Sequence, residues 1–397
     1  MSSKTRLFPG EIFISEDKSH DTNISPSDEQ INEKYNKGEI RIVTEQARYP
    51  LDSIEIMLDS PKYILNPEYQ RRKRWDNIRK SRLIESFIMN VPIPPIFLYE
   101  INYSIYEVMD GQQRLTAIYE FYKGKFNLEG LAYWSELNGK NYKNLPEQVK
   151  RGIDRRYLSS IVLLQETAKT QQEAESLKQI VFERLNSGGE KLTSQEIRNA
   201  LYNGNFNQLC IKLAQNDSFR KMWKLPLESE GEEKLLASEP YRKMEDVELV
   251  LRFFAYRHFD KLKAPIEKFL DDYLKQAYHY DDETIKSLDN LFNETIDLIY
   301  AIFKDSAFLL PPRQKRKVKS PAKIIYDSMM QAFANNILHK DKLIRNGESI
   351  RKDLYLNKEL LYSKEENNID IFDTRYNTAK YIELRMNYFH NFLQSYI

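Results

Sequence analysis

The stretch Val108-Met109-Asp110-Gly111-Gln112-Gln113-Arg114-Leu115-Thr116 marks the point where the chain changes its hydrophobic period. Before it, IPPIFLYEI and SIYEVM are apolar and rich in β-branched and aromatic residues, and they are joined through Asn102 to Ser104. That pattern predicts a hairpin or two neighbouring strands, with Pro94 and Pro95 setting the entry to the first. After it, Leu115, Ile118, Tyr119 and Tyr122 fall at i, i+3, i+4 and i+7, one face of a helix that Gly124 stops. The segment is therefore read as a strand-to-helix junction.

Upstream, short β-type runs alternate with helical ones: IRIV from Ile40, then LDSIEIML, then the extended KYILNPEYQ, then a helix from about Asn77 to Asn90. Downstream, SSIVLLQ at 159–165 predicts a strand. It precedes a helix whose Ala174, Leu177, Val181 and Leu185 share a face and which ends at Asn186-Ser187-Gly188-Gly189. Thr193 and Glu196 form a T-x-x-E capping box for the next helix. From about Asn205 the text is helical, with Val247, Val250, Leu251 and Phe254 at helical spacing and a last helix from about Asn377 to Ser395. LESEGEEK at 227–234 and PPRQKRKVKSP at 311–321 read as breaks. The fold class that follows is α+β: a polar arm over 1–40, an α/β domain over 41–204 and an α-helical domain over 205–397.

Sixty Lys and Arg against 59 Asp and Glu leave a net charge of +1, so any contact with nucleic acid must come from a local patch. Cys210 is the one cysteine, which excludes an internal disulfide and a Cys-rich zinc site. His20, His258, His279, His339 and His390 lack the close spacing of an HExxH or finger site. The first twenty residues carry no apolar core and no run approaches 18 apolar residues. A cytoplasmic protein, neither secreted nor membrane-spanning, is the expectation.

Three clusters carry the candidate chemistry, and each has a structural reading beside a functional one. In the first, Asp110 stands where an N-cap is wanted and Gln113 completes a capping-box-like pair, while Gly111 permits a tight turn. The same junction presents free helix amides to a phosphate. There Gly111 allows close approach, Gln112 and Gln113 add amide donors, and Arg114 adds a planar fork. Asp110 repels phosphate unless it caps the helix or holds Mg²⁺ against the ligand. The second cluster, Asn66-Pro67-Glu68-Tyr69-Gln70-Arg71-Arg72-Lys73-Arg74-Trp75, followed by Arg79, Lys80 and Arg82, is either a solvated basic face leading into an amphipathic helix or a mixture that pairs with phosphates and stacks on bases. The third, Phe182-Glu183-Arg184-Leu185-Asn186-Ser187-Gly188-Gly189, is a helix C-terminus and turn, or a place where Arg184 and Asn186 complete a ligand site. No GxxxxGK[ST] loop is present, so a Walker-type site is excluded.

Read together, NPEYQRRKRW, LIESFIMNVPIPPIFLYE, YEVMDGQQRLTAIYEFYKGKF and VFERLNSGGEKLTSQEIRNALYNG, with a weaker ELVLRFFAYR, resemble the DGQQR family. That family is represented by the N-terminal domain of GmrS-type modification-dependent restriction proteins and related phage-defence proteins. The resemblance covers about residues 41 to 256. It implies a ParB/sulfiredoxin-like domain and nucleotide binding or hydrolysis that controls DNA cleavage. Its DGQQR motif falls on Asp110 to Arg114, its Y-Q-R…W motif on Tyr69, Gln70, Arg71 and Trp75, and its F-x-R-L-N-x-x-G motif on Phe182, Arg184, Leu185, Asn186 and Gly189. On this reading Asp110, Gln112, Gln113 and Arg114 are catalytic. Gln70, Arg71, Trp75, Gly111, Arg114, Arg184, Asn186 and Gly189 hold the nucleotide, with Mg²⁺ at Asp110. Larger members often carry a His-containing nuclease domain, whereas this C-terminal half has isolated histidines only, so a separate nuclease subunit is one expected partner.

The leading expectation is a nucleoside-triphosphate-binding and hydrolysing component of a restriction or phage-defence system acting on or regulated with DNA. A second is a metal-dependent endonuclease, with Asp110 and Glu107 or Glu68 collecting Mg²⁺. A third is a non-catalytic DNA-binding or scaffold protein, with Arg72 and Arg74 of the first basic stretch and Arg313, Lys315 and Arg316 of the second on backbone phosphates.

Overall fold

Ile96, Leu98 and Glu100 are buried while Phe97 and Tyr99 between them are only half-covered, the period-two alternation of a strand with one face on a core. The computed structural model containing this strand describes residues 5–14, 27–37, 42–65, 72, 75–164, 170–186, 192–263, 265–310, 320–354, 362–363, 369–373, 375 and 378–397. They divide into a sheet unit, residues 18–192, and a helical unit made of residues 1–17 together with 193–397. The fold is α+β. No helix among the described residues is long and apolar enough to cross a membrane.

The sheet unit runs α1 (Asp28–Lys37), β1 (Thr44–Pro50), α2 (Ile54–Asp59), β2 (Tyr63–Ile64), α3 (Asn77–Met89), β3 (Ile96–Asn102), β4 (Ile105–Asp110), α4 (Gln112–Tyr122), α5 (Glu147–Asp154), β5 (Tyr157–Leu163) and α6 (Gln171–Asn186). The strand order is β1-β5-β3-β4-β2. β1 lies antiparallel to β5, β5 parallel to β3, β3 antiparallel to β4 and β4 parallel to β2. The hairpin expected from the sequence forms, and its turn needs Ser104 at φ +58°, with the Ser104 amide donating to the Glu100 carboxylate.

The first strand differs from expectation. It begins at Thr44 and not in IRIV, of which Ile40 and Arg41 lie outside the described residues. TEQARYP is a largely exposed edge strand, so it has no apolar face to read. LESEGEEK is likewise more than a break, since it contains a short 3₁₀ turn and opens the helix Glu232–Ala237.

On the core face, Leu98 and Val108 of the sheet meet Ile54 of α2, Ile84 and Phe87 of α3, Leu115, Ile118 and Phe121 of α4 and Ile153 of α5. On the opposite face, Lys178 of α6 sets its ammonium 2.5 Å from the Glu107 carboxylate of β4 and over the Tyr99 ring. The connection after α4 is stitched to α3. The Glu129 amide donates to Ser81 Oγ at 3.0 Å, and the amides of Ala132, Tyr133 and Trp134 all donate to the carboxylate of Glu85, which is 4% exposed. Burial alone would raise the Glu85 pKa, but the three backbone donors outweigh it and hold the carboxyl below its usual range.

In the helical unit the principal helices are α7 (Ser194–Leu201), α8 (Asn205–Leu213), α9 (Glu245–Tyr256), α10 (Ile266–Ala277), α11 (Asp282–Phe303), α12 (Lys323–Asn335) and α13 (Ala379–Gln394). The Thr193–Glu196 capping box opens α7 as expected. Arg198 ties α7 to α10 through Asp271 at 2.6 Å and Glu267 at 2.7 Å, and Arg252 of α9 grips Asp327 of α12.

Residues 5–14, read from sequence as part of a polar arm, complete this unit. Glu11 is buried against Arg257 at 2.6 and 2.8 Å, with His258 Nε2 3.4 Å from the same carboxylate. Phe13 packs edge-on to His258, Phe269 and Tyr273.

Removing one partner of a buried ion pair strands the other charge, which typically costs about 3–5 kcal/mol. Glu11→Ala is expected to destabilise the helical unit by that amount, read as lost hydrogen-exchange protection over Glu245–Tyr256, and unchanged protection there would show that Glu11 does not hold the segment. For Glu85 the folded pKa lies below the unfolded value of about 4.3. Its contribution is therefore complete above that value and is lost as pH falls through and beneath it. The Tyr133 and Trp134 amides should lose protection in acid, and Glu85→Gln should reproduce that loss at pH 7.

Candidate functional site

The junction between β4 and α4 is built around Gly111. Its φ of +91° lies in the left-handed region, and a Cβ there would sit 2.3 Å from Ile96 Cγ2 and 2.9 Å from Arg114 Nη2. Only a glycine fits both the torsion and the space. Gly111, and not Asp110, is the N-cap of α4, and no side chain caps the helix. Asp110 was expected to cap but is turned aside. Its Oδ2 accepts from Arg114 Nη2 at 2.8 Å, an i,i+4 pair reaching over the first turn.

Arg114 works in two directions. The same Nη2 donates to the Pro95 carbonyl at 3.1 Å, so one guanidinium fastens the end of β4 to the entry of β3. Its Nε is buried and has no hydrogen-bond partner among the described residues. A buried donor without an acceptor is uncommon and calls for an oxygen that a ligand or water would supply.

The glutamines are also engaged. Gln112 Nε2 donates to the Val108 carbonyl at 2.9 Å, pinning the helix start back onto the strand. Gln113 does not complete a capping box; its Oε1 accepts the Trp75 amide at 3.0 Å. That bond brings the end of the basic stretch to the junction. Asp76, the next residue, caps α3 through the Arg79 amide at 2.7 Å.

The remaining expected residues fall as follows. Arg72 is 3% exposed, which does not suit the DNA contact expected of it, because a buried guanidinium is not offered to a phosphate in solution. Gln70, Arg71, Arg74, Gly189, Arg313, Lys315 and Arg316 lie outside the described residues, as does the Asn186 side chain. Arg184 is exposed in the last turn of α6. Of the two acids that the endonuclease reading offered beside Asp110, Glu107 pairs with Lys178 and Glu68 lies outside the described residues. Among the described residues no three His, Cys, Asp or Glu side chains gather as a metal site. Trp75 meeting Gln113 was not legible from local pattern, because 38 residues separate them and each belongs to a different helix start.

Residues 54–203 match the family model of the GmrSD restriction endonuclease N-terminal domain. The match supports a GmrS-type N-terminal domain there, running from α2 of the sheet unit past α7 of the helical unit. No curated protein and no solved structure matches the chain.

Gly111→Ala forces a left-handed torsion on an alanine and drives its methyl into Ile96. A non-glycine residue held there costs roughly 1–3 kcal/mol before any clash. The variant should lose at least that in urea unfolding of the sheet unit, and an unchanged midpoint would show that the junction yields easily.

Proposed function

We propose that the β4–α4 junction binds the phosphates of a nucleoside triphosphate and hydrolyses it, in the service of a restriction or phage-defence system that acts on DNA. The observation that carries this reading is the Trp75–Gln113 bond. It brings Trp75, the residue that closes the arginine-rich stretch, against a helix start with no side-chain cap, where free amides and the helix dipole favour an anion.

Electrostatics decides how Asp110 fits. A lone carboxylate would repel phosphate, but at 2.8 Å from Arg114 its charge is balanced, and the helix amides supply the remaining positive field. The Gln113 carbonyl is occupied by Trp75, which leaves its NH₂ to donate to a ligand. The Gln112 amide nitrogen donates to the Val108 carbonyl, which fixes this side chain at the helix start. Mg²⁺ suits this arrangement, since it commonly takes one protein carboxylate together with substrate phosphates, and Asp110 is half-exposed and offers a hard oxygen. The ion would offset phosphate charge. Gln70, Arg71, Arg184, Asn186 and Gly189 are proposed to complete the pocket on the strength of the family motif.

The test is a thermal-shift series with each NTP, with and without Mg²⁺. A ligand at a hundred times its Kd stabilises the native state by about 2.7 kcal/mol, a clear rise in melting temperature. Arg114→Ala and Gln113→Ala should each remove the rise. If no NTP shifts the melt under any metal condition, the reading fails.

A further inference from the structure

A ridge leads away from the junction along α3, and nothing above assigns it a role. It starts at Trp75, whose amide meets Gln113, and continues through the exposed Ile78, Arg79 and Arg82. Beside it runs the segment 129–134. Gly130 lies against Ile78, the Glu129 amide is bonded to Ser81, and the Tyr133 and Trp134 amides are bonded to Glu85. From Asn77 to Glu85 the helix rises about 12 Å, so the ridge spans roughly two nucleotides of extended strand.

Its chemistry is unusual for a solvent face. Tyr133 is 77% exposed and Trp134 39% exposed, yet both sit on backbone fixed by the three bonds to one buried carboxylate. Large rings are thus held in water on a rigid support, where ordering costs little more on binding. Arg79 and Arg82, one turn apart, are the exposed charged side chains of α3, and the field of Arg82 reaches Glu85 beneath the loop. Glu129 and Glu136 are the exposed acids of the same connection, and Asp76 is exposed at the start of α3. Exposed cations beside exposed aromatic rings are what an unpaired strand requires, guanidiniums for its phosphates and π-faces for its bases.

The geometry points to this ridge as a contact surface for single-stranded DNA, with Tyr133 and Trp134 stacking on bases and Arg79 and Arg82 on the backbone. The choice of DNA over RNA rests on the restriction-type reading above, whereas the choice of an unpaired strand rests on the rings.

The full-length protein is titrated into a fluorescein-labelled 20-nucleotide DNA, and binding is followed by anisotropy across a salt series. The same titration is run with the matching duplex and with RNA of the same sequence. Tyr133→Ala/Trp134→Ala is expected to weaken single-strand binding roughly ten-fold or more with its salt dependence intact. Arg79→Ala/Arg82→Ala should instead lower the salt slope by about 1.4, which is two phosphate contacts on a single strand. Unchanged melting temperatures establish that both variants fold, and both keep any NTP-induced thermal shift, so loss of the strand site reads separately from loss of the nucleotide site. Tight binding that neither variant alters, or a preference for duplex or RNA, would overturn the assignment. So would no binding at low salt, a result that leaves the aromatic ridge to a protein partner.

Discussion

One arginine decides how the sheet unit closes. Arg114 leaves the first turn of α4, crosses back to Asp110 at the end of β4, and reaches the Pro95 carbonyl at the entry of β3. Three chain segments are thereby fixed where β-structure gives way to helix. Gly111 makes the crossing possible, because any Cβ there would occupy the space the guanidinium passes through. The pairing also settles the electrostatics. The acid that would repel an anion is matched before any ligand arrives, and the helix amides and the buried Nε set the character of the place.

Much of this was legible in the sequence, and the exceptions have physical causes. The change of period at Asp110, the hairpin of β3 and β4, and α3 and α4 follow local pattern because they bury apolar residues at regular spacing, and α7 follows from its Thr193–Glu196 capping box. β1 was misplaced by four residues because an edge strand exposed along most of its length shows no alternation of apolar residues. The capping role given to Asp110 was wrong because the Arg114 guanidinium, four residues on, takes the carboxylate while also reaching the distant Pro95 carbonyl. The three-amide grip of Glu85 was invisible because its partners lie 47 to 49 residues away.

The two faces of the sheet carry different tasks. The face toward α3 and α4 holds the apolar core and supports the junction, while the face toward α6 holds the Glu107–Lys178 pair. Glu107 and Asp110 are three residues apart, and with the bulge between them they stand opposite Tyr99 and Phe97 and pair with different cations, Lys178 and Arg114. An argument from proximity in sequence would have joined them into a two-carboxylate centre, whereas each carboxylate is held by its own cation.

The helical unit is discontinuous, and that has a consequence for the order of assembly. Glu11 and Arg257 are 246 residues apart, with the whole sheet unit between them in the chain. At a synthesis rate of about 5–20 residues per second, Phe13 and Glu11 leave the ribosome roughly 12 to 50 seconds before the side chains that enclose them exist. During that interval the sheet unit has everything it needs to fold, and the leading segment has not. The newborn chain therefore carries an aromatic-acidic segment that can dock only once α10 has been made, which makes its docking a check that synthesis has passed that helix.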